Sequence, residues 1–115
     1  MAKRITGIKA YPIQNFTMSH PGGVGLIRFR VFFKPRLSAW FIDIESDRLN
    51  VNGFRLTTSK NILSQYRRNA GFGLAVLSAE GVDPILLNDF ESGRVEMYLL
   101  TEEETREIAE AIEND

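Results

Sequence analysis

Gly25-Leu26-Ile27-Arg28-Phe29-Arg30-Val31-Phe32-Phe33 alternates apolar and charged residues with a period of two. Ile27, Phe29, Val31 and Phe33 fall on one face and Arg28 and Arg30 on the other, the pattern of a strand with one buried face. Beyond Pro35, which ends this strand, Trp40-Phe41-Ile42-Asp43-Ile44 repeats the alternation. Trp40, Ile42 and Ile44 stand together, with Phe41 and Asp43 opposite. Glu45-Ser46-Asp47-Arg48 supplies turn residues and Leu49-Asn50-Val51 resumes the pattern, so Trp40 to Val51 predicts a β-hairpin. Asn52-Gly53 then allows a further turn or a bulge before Phe54-Arg55-Leu56.

The flanking segments extend the same reading. Ile8 to Ile13 and Phe16 to Met18 predict two short strands, with Pro12 confining the first to an edge or a bulge. Asn61 to Arg68 is less regular. It suits one or two helical turns, capped by Ser59 or Asn61 and ended near Gly71, and suits an irregular connection equally well. Strand character returns in Gly73-Leu74-Ala75-Val76-Leu77 and in Arg94 to Leu100, where Val95, Met97 and Leu99 share a face; Glu80 to Pro84 between them is a loop. Thr101-Glu102-Glu103-Glu104 has the spacing of a capping box and predicts a C-terminal helix whose apolar stripe is only Ile108 and Ile112. The expected fold is mainly β: a small antiparallel β-barrel or sandwich over residues 1–100 with a short acidic α-helix over 101–115. Its core is expected to contain Phe29, Val31, Trp40, Ile42, Leu56, Leu74, Val76, Val95, Met97 and Leu99.

Composition bounds the function. At 115 residues the chain has room for one core, and 43% hydrophobic with 25% charged residues is the balance of an ordinary globular domain. No apolar run reaches the roughly eighteen residues that cross a bilayer, and the first residues lack a signal-peptide core, so synthesis and retention in a cytoplasm are expected, without membrane contact. The absence of cysteine excludes disulfides, thiolate catalysis and Cys-type zinc sites. The net charge of −1 conceals an asymmetry, because residues from Thr101 onward carry seven acids against Arg106. A basic body carries an acidic tail.

Residue types suited to catalysis are scarce. His20 is the one histidine and lies in the turn-like Ser19-His20-Pro21-Gly22-Gly23, where a solvated loop side chain is expected in place of a metal ligand or base. The glycines of residues 21–25 open a strand and lack the Gly-Lys-Ser/Thr and helix of a phosphate loop. Asp43 sits among apolar neighbours, and pairing with an arginine from the next strand is expected of it. No enzyme activity and no cofactor are expected. The positive signal is cationic: nine lysines and arginines between residues 28 and 68, interleaved with Phe29, Phe32, Phe33, Trp40, Phe41 and Phe54. That mixture fits a single-stranded nucleic-acid-binding small β-barrel. Against it, the aromatics alternate as core residues, and a pI near 5.9 is low for such a module. Arg28, Arg30, Arg67 and Arg68 are therefore assigned to a subunit or partner interface. Glu103, Glu107, Ile108 and Ile112 of the acidic helix are its expected complement.

Taken in order, these segments resemble the baseplate plug family of contractile-tailed bacteriophages. The resemblance runs from about Gly25 to Thr101. It rests on the strand Leu26 to Phe33, Trp40-Phe41-Ile42-Asp43-Ile44, the Leu49, Gly53 and Leu56 spacing, Asn61-Ile62-Leu63, Gly73-Leu74-Ala75-Val76, Asp83-Pro84 and Val95-Glu96-Met97-Tyr98-Leu99. Ser59 and Glu91 stand where the family pattern leads one to expect glycine. The resemblance implies a structural protein that plugs or shapes the tail-hub channel of the virion. Its implied partners are other baseplate hub and tail-tube proteins, with three or six copies around the tail axis and no nucleic-acid ligand expected.

Overall fold

Where the chain alternates it forms antiparallel strands. The computed structural model describes residues 2–23 and 25–113, excluding the side chains at 67, 68, 112 and 113. Strands β1 (Lys3–Ile5), β2 (Ile13–Ser19), β3 (Leu26–Lys34), β4 (Ala39–Glu45) and β5 (Asn50–Arg55) are followed by a 3₁₀ turn at Ser64–Tyr66 that runs into helix α1 (Arg67–Ala70). Strand β6 (Phe72–Ser78), helix α2 (Asp89–Ser92), strand β7 (Val95–Thr101) and helix α3 (Glu102–Glu113) complete the order. The strands make a four-stranded sheet, β2-β3-β4-β5, and a three-stranded sheet, β1-β7-β6. The two sheets do not close into a barrel, so of the two predicted architectures the sandwich is the one formed. Strand alternation specifies which face is buried but not whether the edges meet, and here β1 bonds to β7 and not to β2.

The core lies between the sheets. Ile27, Phe29 and Val31 of β3 and Trp40, Ile42 and Ile44 of β4 are buried against Leu74, Val76, Val95, Met97 and Leu99 of the other sheet. All ten residues expected in the core are there. Trp40 is fully buried, lies edge-on to Phe90 with ring centroids 5.5 Å apart, and donates its indole N–H to the Leu86 carbonyl at 3.0 Å. A buried indole has no other way to recover the hydrogen bond it gives up to water.

The N-terminal expectation is corrected. Residues 8–12 are not a strand: Ile8 is buried as a packing residue, and Pro12 contributes only its carbonyl, accepting the Phe33 N–H at 2.8 Å. Strand β2 instead runs unbroken from Ile13 to Ser19, in full register with β3. The Asn52-Gly53 signal resolves as a bulge. Ile42 pairs with Phe54 and Ile44 with Val51, so Asn52 and Gly53 together oppose Asp43. Gly53 has φ +68°, which a Cβ would strain.

Helix α3 starts as its sequence predicts. The Thr101 Oγ1 accepts the Glu104 N–H at 3.1 Å and the Glu104 carboxylate accepts the Thr101 N–H at 2.9 Å. The helix packs on β6 and β7, with Thr105 buried over Gly73. A Cβ on Gly73 would stand 2.6 Å from Thr105 Cγ2 and 2.7 Å from Asn61 Oδ1, so only glycine lets the helix approach this closely. Asn61 caps the preceding turn by accepting the Leu63 N–H at 3.0 Å, and α1 ends at Gly71, in line with the helical alternative for this segment.

Candidate interaction surfaces

The outer face of the four-stranded sheet follows from the register. Two rows cross it, Thr17-Arg28-Glu45-Asn50 and Asn15-Arg30-Asp43, and border a depression of about 580 Å³. A third row is Ile13-Phe32-Phe41-Arg55. Arg28 reaches Glu45 at 3.4 Å across the strands, with both side chains exposed, so this pair adds little to stability. Asp43 departs from expectation. Its carboxylate accepts the Gly53 N–H at 2.6 Å, holding the bulge, instead of pairing with an arginine, although Arg30 is its register partner. The bulge turns an orphaned donor toward the nearest acceptor, and sequence spacing gives no sight of that.

The interleaved aromatics do not all serve the core: Phe32 and Phe41, which strand alternation sets opposite Phe33 and Trp40, lie outside it. They stack on the solvent side of the sheet with centroids 5.7 Å apart, half-buried beneath Lys34. Leu26, at the opposite end of β3, and Ile13 are exposed on the same face.

The acidic residues lie elsewhere. Glu103 and Glu107 are exposed on α3, and Ile108 is half-buried between the helix and the body. Helix α3 sits on the face of the three-stranded sheet that carries Gly73 and Leu100, away from Arg28 and Arg30. Arg28 and Arg30 are thus not brought together with the acidic residues of α3 within one chain. The backbone of α1 places Arg67 and Arg68 near α3. The side chains of Arg67, Arg68 and Ile112 lie outside the described residues.

Two polar sites have structural explanations. His20 lines a cavity of about 570 Å³ with Arg48, Asp47 and Glu103. Its Nδ1 accepts the Gly22 N–H at 2.9 Å, which leaves Nε2, 3.3 Å from the Ala70 carbonyl oxygen, as the donor. Both ring nitrogens are engaged, and the ring edge abuts Phe72. Asp89, fully buried, accepts the Ile85 and Leu86 N–H groups at 2.7 and 2.8 Å and the Arg94 guanidinium at 2.9 Å, fixing the loop that meets Trp40. Sequence reading passed over Asp89; Asp89-x4-Arg94 across a turn is the signal that was available. Among the described residues no group of His, Cys, Asp and Glu is placed to hold a metal, and no helix is long and apolar enough to cross a membrane.

A family model described as cyanophage baseplate Pam3 plug gp18 matches residues 3–103, from β1 into the first turn of α3. The chain belongs to this baseplate plug family. Among curated proteins none matches the chain. As a member of the plug family it is a structural component of a phage baseplate, which associates with other baseplate proteins. The match covers both sheets and the whole core, and Ser59 and Glu91 fall inside the matched span.

Proposed function

We propose that this plug closes or shapes the central hub channel of a contractile-tail baseplate and joins tube-initiating proteins to the tip. Three or six copies stand around the tail axis, and the chain yields when the tail contracts. The observation that carries this reading is the family match over residues 3–103. The physical character of the molecule supports it. The core is continuous between the sheets, and among the described residues every buried side-chain polar atom is hydrogen-bonded, which suits a part that transmits load. Its contacts with neighbouring chains run through Arg28 and Arg30 of the outer sheet face and through Glu103, Glu107 and Ile108 of α3, with Arg67, Arg68 and Ile112 as further members of the interface.

Deleting the gene from the phage and supplying it in trans tests the role. Particles without the protein are expected to lack a sealed, infectious tail, with complementation restoring it. Fully assembled, contractile and infectious particles from the deletion would overturn the proposal. The nucleic-acid alternative predicts a steep fall in binding with salt, because phosphate contacts release counterions. A filter-binding titration with a single-stranded oligonucleotide is expected to show no such slope.

A further inference from the structure

One end of the outer sheet face combines stacked aromatic rings with cations. Phe32 and Phe41 stack there, half-buried, with Lys34 Nζ 4.8 Å from the Phe41 centroid and 5.6 Å from the Phe32 centroid, and the Arg30 guanidinium carbon 5.7 Å from the Phe32 centroid. Arg55, exposed, is the register partner of Phe41, and Ile13, 54% exposed, is that of Phe32. The rings form an apolar floor, and their electron-rich faces hold the cations over it. The acid nearest in register, Asp43, is turned onto the Gly53 N–H. The contrast with the other end of the same face, where Arg28 has Glu45, is plain.

The complementary surface is on the other sheet, and its near end, Glu103, borders the His20 cavity beside Leu26, at the end of β3 remote from Phe32. Helix α3 is fixed over Gly73, on the outer side of the other sheet, and exposes Glu103, Glu107 and Glu110 along one flank, with Arg106 the only exposed base among its described residues. It cannot reach the Phe32–Phe41 face of its own chain.

We propose that the Phe32–Phe41 face of one copy, through Lys34, Arg55 and Arg30, receives the Glu103–Glu107–Glu110 flank of α3 from a second copy. This deepens the reading of several copies around the tail axis and rests on it. Because the two surfaces differ and belong to different sheets, one contact leaves each copy with its other surface free, so the contact is head-to-tail, which closes into a ring or propagates. Carboxylates suit the face better than nucleic acid does. Base stacking needs open ring faces, whereas these rings stack on each other beneath Lys34 and Arg30 and present N–H donors, which carboxylates accept.

The test uses the purified full-length chain in sedimentation velocity at about 0.05 M and about 0.5 M salt, where screening differs strongly. All four substituted residues are exposed, and circular dichroism verifies folding. Wild type is expected to associate at low salt and to dissociate at high salt. Lys34→Glu/Arg55→Glu and Glu107→Lys/Glu110→Lys are each expected to self-associate about tenfold more weakly or less. An equimolar mixture of the two variants is expected to regain association, since each restores the other's missing complement. A monomeric wild type at low salt, or a mixture that stays monomeric, would overturn the contact. So would oligonucleotide binding abolished by the Lys34/Arg55 change alone. A monomeric chain that is still found in tails would remove this contact and leave the baseplate role standing.

Discussion

Trp40 joins the sheets through one side chain: its ring fills the core against Phe33 and Phe90, and its N–H anchors the loop at Leu86. Trp40→Ala is expected to cost about 3–5 kcal/mol in urea unfolding, as for other buried aromatics truncated to alanine. Trp40→Phe, which loses chiefly the hydrogen bond, is expected to cost about 1–2 kcal/mol. An unchanged midpoint for the alanine variant would show that the indole is not a core residue. Tyr98 offers a test of surface electrostatics. Its hydroxyl donates to the Glu96 carboxylate, and this bond, with burial and the Glu96 charge, raises its pKa above the usual value near 10, against a smaller opposing effect of Arg4. The neutral phenol is thus favoured in the folded state. Its contribution to stability is complete below pH about 10 and is lost as pH rises through the elevated pKa. In an ultraviolet titration, Glu96→Gln is expected to lower the Tyr98 midpoint; an unmoved midpoint would contradict the assignment. At this scale alternation made Trp40 legible and set Phe32 on the face opposite Phe33, but it gave no sign that Phe32 and Phe41 would stack there. Phe32 and Phe33 are adjacent, one outside and one inside, and a period-two pattern with apolar residues on both faces does not say which solvent-side ring is left uncovered.

Elements held by local chemistry were the ones legible in sequence. The capping box of α3 depends on two residues three apart, and both of its hydrogen bonds form as expected. Thr101→Ala is expected to lower stability by about 1 kcal/mol and to reduce helical ellipticity; an unaltered midpoint would show that α3 is held by tertiary packing alone. The β4–β5 hairpin was legible for the same reason, its turn closing with the Ser46 N–H on the Leu49 carbonyl at 2.8 Å. Strand β1 was not. It has three residues, and its partner β7 lies at the other end of the chain, so nothing nearby in sequence announces it. Ile8 to Pro12 misled because burial of Ile8 by packing imitates a strand's inward face.

For the molecule as a whole, the sequence specified faces but not edges, which is why barrel and sandwich were equally compatible with it. The same limit applies to the candidate interface. Net charge separated a basic body from an acidic helix, but only the three-dimensional arrangement shows that the Arg28–Arg30 face and α3 lie on different sheets, with Arg28 engaged by Glu45 and Lys34 held over the Phe32 and Phe41 rings. The baseplate assignment was legible through the order of segments from Leu26 to Leu99, because it depends on spacing along the chain and not on surface geometry. The most direct test is a cryo-electron reconstruction of the tail tip of intact particles. The account predicts density for this sandwich, about 35 × 33 × 22 Å, in repeated copies beside the tail axis at the hub. A tail tip wholly accounted for by other chains, with no density that accepts this fold, would contradict it.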